Sequence, residues 1–422
     1  THYFGTVILV EKPECKKTTS GEVFEQFEIV DGQQRIATTL ILITEIIKQL
    51  KQLDAFPRER IRRLEEDYLK YESIYKLELL GDDREFFRRY IIEGEEPPEI
   101  QTPSQARLIR AKQFFRTKLE ETKKHLSPGE FKDFLVQLLQ KIGTMEVMVY
   151  PIRETGEAAR IFELVNDRGK DLTNLERTKS YLMYMVYLTA PEEDLEALLR
   201  DLNDCFGNIF RWIMQIQQSE FGKELEEDDI QRYHFIIFAE DEMLRIPPSF
   251  TYKWTRVEAA AMYLRILKGY IMRIYRSGEK KKCLDMILSY VKDLERAFSS
   301  LKDILTYSED DDIREWLERI FFLGRVANFY PLLIACWTRF RGEKEKLVEV
   351  LRLIETMAFR VYAIGRRRAD AGRSALYELA YKVHRGLISY EDLIYELKRL
   401  VQLYENDRRF EEHLRAPDFY ER

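Results

Sequence analysis

The sequence predicts an α+β protein: a small mixed α/β N-terminal domain followed by a large all-α helical domain. Three observations lead there. Convincing strand patterns occur only at or before Ile152. From Glu154 onward apolar residues recur with the 3.6-residue period of a helix. With 422 residues, 45% of them hydrophobic and 13% aromatic, the chain is long and apolar enough to bury more than one core. The expected division is 1–172 for the α/β domain and 173–422 for the helical domain, with a further subdivision near 219–255.

The elements follow in order. Tyr3 to Val10 is β-branched and aromatic and reads as a strand, closed by Lys12-Pro13 and a polar loop through Gly21. Phe24 to Val30 is a second strand, and the length of the intervening loop favours an antiparallel pair. Asp31-Gly32 is a sharp turn signal. After it, Ile36, Leu40, Ile43, Ile47 and Leu50 fall on one helical face, widened by Ala37, Ile41, Leu42 and Ile46, so this helix is central. A charged helix is expected from Pro57 to about Tyr71, a third strand over Ser73 to Leu80, and helices from Gly81 to Gly94 and from Ser104 to Thr122. Ser127-Pro128-Gly129-Glu130 has the spacing of a capping box with proline at the first helical position. Met145 to Ile152 is the last strand. The helical half shows the same box at Thr173-Asn174-Leu175-Glu176 and Thr255-Arg256-Val257-Glu258, with softer joints at Ser219 to Asp229, Pro247-Pro248 and Glu309 to Asp312.

Composition excludes several classes. The 68 basic and 74 acidic residues nearly balance, so no overall field attracts nucleic acid, and any such surface must be local. Cys15, Cys205, Cys283 and Cys336 are far apart, which argues against a zinc ribbon or a disulfide scaffold and for a reducing, cytoplasmic location. The most apolar run, Ile36 to Ile47, contains Glu45 and is shorter than the roughly 18 residues that signal a membrane span, so no membrane association is expected. There is no GxxxxGK[ST], GxGxxG or HExxH pattern, and the five histidines have no metal-ligand spacing. Glu396 and Lys398 lie within a helical pattern and read as a solvated face rather than a nuclease pair.

Three stretches carry chemistry. At Asp31-Gly32-Gln33-Gln34-Arg35 a strand runs through a tight turn into a helix start. The open amides of a first helical turn and the positive end of its dipole favour an anion, Gly32 permits close approach, and Arg35 adds a fork of donors. A phosphate is the natural guest, with Gln33 and Gln34 orienting phosphate or water and Asp31 available to Mg²⁺. The same residues also fit a plain turn with Arg35 paired to a carboxylate. The second stretch, Ile161 to Thr173, ends a helix at Asn166 and gathers Asn166, Arg168, Gly169 and Lys170 in one turn, with Lys179 on the helix beyond. It reads either as a helix–turn–helix corner or as a phosphate or nucleic-acid contact. The third is basic: Arg366, Arg367, Arg368 and Arg373, which fit a solvated face or contacts to a DNA backbone.

Together, Phe4-Gly5-Thr6-Val7-Ile8-Leu9, Ile29 to Arg35, and Phe162 to Lys170 with Leu172 and Lys179 resemble the DGQQR domain of GmrSD-type modification-dependent (type IV) restriction proteins over about Tyr3 to Tyr181. The resemblance implies a ParB/sulfiredoxin-like core with a helical extension. It also implies binding and Mg²⁺-dependent hydrolysis of a nucleoside triphosphate, GTP favoured, as a sensor in phage defence that regulates an HNH nuclease acting on modified phage DNA. Carried over, Asp31, Gln33, Gln34 and Arg35 would be catalytic. Gly32, Arg35, Asn166, Arg168, Gly169, Lys170 and Lys179 would hold nucleotide, and Asp31 the metal. Relatives often continue into an HNH domain, and no His-Asn-His arrangement occurs in this sequence, so the expectation is a fragment, or one half of a split system with the nuclease as a partner. A homo-oligomer is compatible with this. Two other functions fit the same residues: a nucleotide-gated DNA-binding module without hydrolysis, and an interaction scaffold.

Overall fold

The computed structural model describes residues 3–53, 56–81, 83–97, 100, 102–152, 173–245 and 253–416. The chain divides into two compact units, Thr1–Asp171 and Leu172–Arg422. The first is small and mixed α/β and the second is large and helical, as the periodicities predict.

The strands are β1 (Tyr3–Lys17), β2 (Val23–Asp31), β3 (Lys70–Tyr71), β4 (Ile74–Tyr75) and β5 (Glu146–Ile152). Three form one sheet in the order β2-β1-β5, with β1 antiparallel to β2 and parallel to β5. The helices of this unit are α1 (Gln33–Lys51), α2 (Arg58–Tyr68), α3 (Asp83–Phe86), α4 (Pro103–Lys124) and α5 (Pro128–Gly143), with a π-helical segment Phe87–Glu93 continuing from α3. Helix α1 is the hub. Its Ile41, Ile43, Ile46, Ile47 and Leu50 are buried with Phe87, Ile91, Phe131 and Leu135 in one cluster. Each such aliphatic side chain contributes about 1.5–3 kcal/mol. The start of α1, which carries the candidate site, is therefore held from below by a rigid stripe.

Two expectations in this unit need correction. The strand beginning at Tyr3 does not stop before Pro13; it runs to Lys17 through a break in register between Lys12 and Cys15. Proline lacks the N–H that a ladder needs, and a bulge is where its absence costs nothing. The alternation over Ser73 to Leu80 is not a long strand either. Only Ile74 and Tyr75 pair, back onto Tyr71 and Lys70, while Leu77 and Leu79 pack against the helical core from an irregular segment. The alternation there records one-sided burial, which a strand and an extended coil share.

The second unit contains α6 (Asn174–Thr189), α7 (Leu195–Gln218), α8 (Glu227–Phe238), α9 (Asp241–Leu244), α10 (Arg256–Ala261), α11 (Tyr263–Arg276), α12 (Lys280–Leu305), α13 (Asp311–Phe322), α14 (Tyr330–Phe340), α15 (Lys344–Met357), α16 (Arg373–His384), α17 (Tyr390–Tyr404) and α18 (Asp407–Leu414). A π-helical segment, Ala358–Ile364, follows α15. One continuous apolar core runs through the unit, centred on α12 and α14, where Phe298, Leu301, Leu332, Ile334 and Trp337 are buried. Inside it, His234 on α8 and His384 on α16 each place Nε2 3.0 Å from the same Asp293 Oδ1 on α12, tying three helices at one carboxylate. Among the described residues no helix is long and apolar enough to cross a membrane.

Candidate functional site

The site is built where β2 hands over to α1. In the β1–β2 register Leu9 faces Ile29 but Ile8 faces Asp31, so Val30 is an extra residue and β2 bulges one step before its end. A bulge bends the strand and re-aims the residues beyond it. Gly32 then takes φ 95° and ψ 1°, the left-handed region, and serves as the N-cap of α1. Only glycine fits easily: a Cβ there would carry the left-handed penalty and lie 3.1 Å from Val7 Cγ2.

The consequence is electrostatic. Gly32 offers no side-chain cap, and the first turn of α1 contains no acidic residue. The amides of Gln33, Gln34 and Arg35 precede the first intrahelical bond, which runs from Ile36 N–H to Gly32 O at 3.0 Å. In contrast α5, α6 and α10 all close their starts with capping boxes, Ser127 with Glu130, Thr173 with Glu176, and Thr255 with Glu258. Those carboxylates occupy the positive helix end that α1 leaves open.

Arg35 is half-buried and folds back over β1, its Nη1 3.5 Å from Phe4 O. Gln33 is exposed and donates from Nε2 to Ile29 O at 2.5 Å, which braces the end of β2. Gln34 is exposed. Asp31 ends β2 opposite Ile8, and only its backbone is described. Among the described residues no group of three or more His, Cys, Asp or Glu gathers as a metal cluster.

Residues 1–183 match the family model of the GmrSD restriction endonuclease N-terminal domain. These residues belong to that family. No curated protein matches the chain. The GmrSD-type domain thus covers the whole first unit and extends into α6 of the second.

The remaining positions of the GmrSD-type domain divide sharply. Asn166, Arg168, Gly169 and Lys170 lie outside the described residues. Lys179 belongs to the second unit, where Nζ donates to Asn203 Oδ1 at 2.6 Å and ties α6 to α7. Of the basic stretch further on, Arg366 and Arg368 are exposed, whereas Arg367 donates from Nε to Tyr404 O at 3.2 Å and pairs with the buried Glu405 at 3.5 Å. Arg373 is half-buried in the first turn of α16. The loop bearing these arginines is anchored on both sides: Asn328 donates to Ala369 O, and Tyr362 Oη donates to Ala371 O at 2.5 Å.

Sequence reasoning gave no role to Gly5. It stands in β1 with φ 113°, directly beneath the Arg35 guanidinium. The available signal was a glycine inside a strand pattern, which marks a bulge or a close approach.

Proposed function

We propose that Asp31 to Arg35 is the phosphate site of a nucleoside triphosphatase, GTP favoured, which acts as a sensor in a restriction system directed at modified DNA. The observation that carries this reading is the uncapped, acid-free start of α1 on a left-handed Gly32 with the Arg35 guanidinium beside it. Three amides and a guanidinium gathered at one helix start suit a phosphate chain, whose charge they offset. In this scheme Gly32 and the first-turn amides bind phosphate, Arg35 neutralises charge that builds on it during transfer, and the exposed Gln34 orients the attacking water. Mg²⁺ would sit between phosphate oxygens and Asp31. The family match supports the restriction setting, and the modified phage DNA and a partner HNH nuclease are part of the proposal.

A second observation favours DNA contact in the helical unit. Arg366 and Arg368 project from a loop pinned by Asn328, Tyr362 and Arg367, next to the start of α16, which is capped by Gly372 without a side-chain bond and has no acid in its first turn. A prearranged pair of exposed arginines suits the DNA backbone and predicts salt-sensitive, sequence-independent retention.

Titration of the full chain with labelled GTP, ATP and CTP in Mg²⁺ tests the nucleotide reading. Saturable binding is expected; none with any nucleotide leaves the scaffold reading in its place. Binding without turnover, together with nucleotide-dependent DNA retention lost in Arg366→Ala/Arg368→Ala, would favour the gated DNA-binding module.

A further inference from the structure

Strand β1 is irregular at the residues under Arg35. In its parallel register with β5, Tyr3 faces Glu146 and Gly5 faces Val147, so Phe4 is an extra residue and the ladder slips by one. At this slip Gly5 adopts φ 113°, a conformation that side chains other than glycine rarely take. The space a side chain would fill is already occupied. A Cβ on Gly5 would overlap Arg35 Nη1 outright and lie 3.2 Å from Cζ and 3.8 Å from Cδ. The other guanidinium nitrogen, Nη2, lies 3.6 Å from where a Cβ on Gly32 would stand. Two positive-φ glycines, one on β1 and one at the cap of α1, therefore bracket a single guanidinium, with the Phe4 carbonyl 3.5 Å from Nη1.

We propose that the Phe4-Gly5 bulge is the seat of Arg35, and that Gly5 is a positioning residue which holds the guanidinium beside the open amides of α1. Its binding consequence rests on the phosphate reading above; the seat itself does not. Arginine carries a long side chain with several free rotations, and immobilising it before the ligand arrives removes an ordering cost from binding. The bulge supplies that immobilisation by emptying one position of its side chain. Gly5 acts through Arg35 and need not touch the ligand.

Gly21 provides the control. It has φ 93°, and a Cβ there would meet nothing within 4 Å, so Gly21→Ala carries the backbone penalty without the displacement. The full chain is compared as wild type, Gly5→Ala, Arg35→Ala, the double variant and Gly21→Ala, by urea unfolding and by GTP titration. Gly5→Ala should lower the unfolding midpoint more than Gly21→Ala does, and adding Gly5→Ala to Arg35→Ala should cost no more than Gly21→Ala. GTP binding should weaken at least tenfold in Gly5→Ala, less than twofold in Gly21→Ala, and less than twofold further when Gly5→Ala is added to Arg35→Ala.

An equal midpoint loss for Gly5→Ala with and without Arg35 overturns the seat, as does a double variant that fails to fold when Arg35→Ala alone folds. A Gly5→Ala protein that does not fold, beside a double variant that does, supports it. If wild type binds GTP and Gly5→Ala binds equally well, the positioning role falls. If wild type binds none of GTP, ATP and CTP, the phosphate reading falls and the unfolding cycle alone decides the seat; if it binds ATP or CTP but not GTP, the same titrations are made with that nucleotide.

Discussion

Helix α1 in the first unit and helices α6 and α10 in the second begin in opposite ways. Helices α6 and α10 start on threonines whose hydroxyls accept from the third amide while a glutamate reaches back, at 3.0 Å for Glu176 and 2.9 Å for Glu258. Each box satisfies the amide of the cap and the third amide of the helix, and sets a carboxylate at its positive end. Helix α1 starts on a glycine with no such closure, and the cation of its first turn is laid across the neighbouring strand. The same contrast extends to the cores. Two polar clusters of the second unit are met from within it: Arg256 donates to Ile236 O and Ala239 O and pairs with Glu378, and Asp293 holds two histidines. Charge satisfied inside the fold maintains the fold, and helix ends left open at a sheet junction are where a ligand can be recognised.

The contrast can be broken from either side, and the largest effect lies in the helical core. Trp337→Ala or Phe298→Ala removes a fully packed ring and should lower stability by about 3–5 kcal/mol in chemical unfolding, through lost transfer energy and an unfilled cavity. Next is Asp293→Ala, which strands two buried imidazole donors and should cost about 3 kcal/mol. Acid should act on the same cluster. Burial holds the His234 imidazole below its ordinary value of 6.5. The unfolded chain therefore takes up a proton that the native one refuses as pH falls through about 6.5, and stability drops. Burial alone would raise Asp293, but the donors of His234 and His384 outweigh it and hold the carboxylate well below its usual range. Its contribution is present above the unfolded value of about 3.9 and is lost as pH falls further. Urea midpoints measured from pH 7 to pH 4 should fall steadily for wild type and more shallowly for His234→Gln.

A smaller effect of the same sign, in a more alkaline window, belongs to Lys112 in the first unit. Its ammonium, which donates to Tyr90 O in the π-helical segment, is pushed down to about 8, chiefly by burial and then by Lys48. Between pH 8 and 10 the unfolded chain binds more protons than the native one, so stability should rise with pH over that window. The rise should be absent in Lys112→Met. Smallest in stability is Gln34→Glu, which places a carboxylate in the open first turn of α1. It should stabilise that helix by about 0.3–1 kcal/mol and yet weaken GTP binding, because the added charge takes the position proposed for phosphate. A mutation that improves the fold and harms the ligand separates the two kinds of helix start.

Legibility in the sequence tracked the range of the interaction. The capping boxes at Ser127, Thr173 and Thr255 depend on four consecutive residues and stand where the spacing places them. The β1–β2 pairing and the burial of α1 were readable for the same local reason, one from a short loop and the other from an apolar stripe. At the site, a strand ending at Asp31 and a helix beginning at Gln33 were likewise written in neighbouring residues. The bulges were not. Val30 and Phe4 become extra residues only when β1 has chosen its partners, and β5 joins the sheet from far along the chain. Gly5 gains its meaning from Arg35, on another element altogether: a glycine within a strand pattern signals a bulge or a close approach but does not name the partner. The stretch Ser73 to Leu80 failed for a related reason: alternation fixes which side is buried but does not supply a partner strand.

The most direct measurement is phosphate release from GTP, ATP and CTP with Mg²⁺ by the full chain, wild type against Arg35→Ala. Wild type should turn over at least one of the three, GTP fastest, and Arg35→Ala should lose about a hundredfold or more of that rate, the order of loss seen when a charge-stabilising group is removed. Equal rates in the two proteins would contradict the account, because the start of α1 would then not be where phosphate is handled.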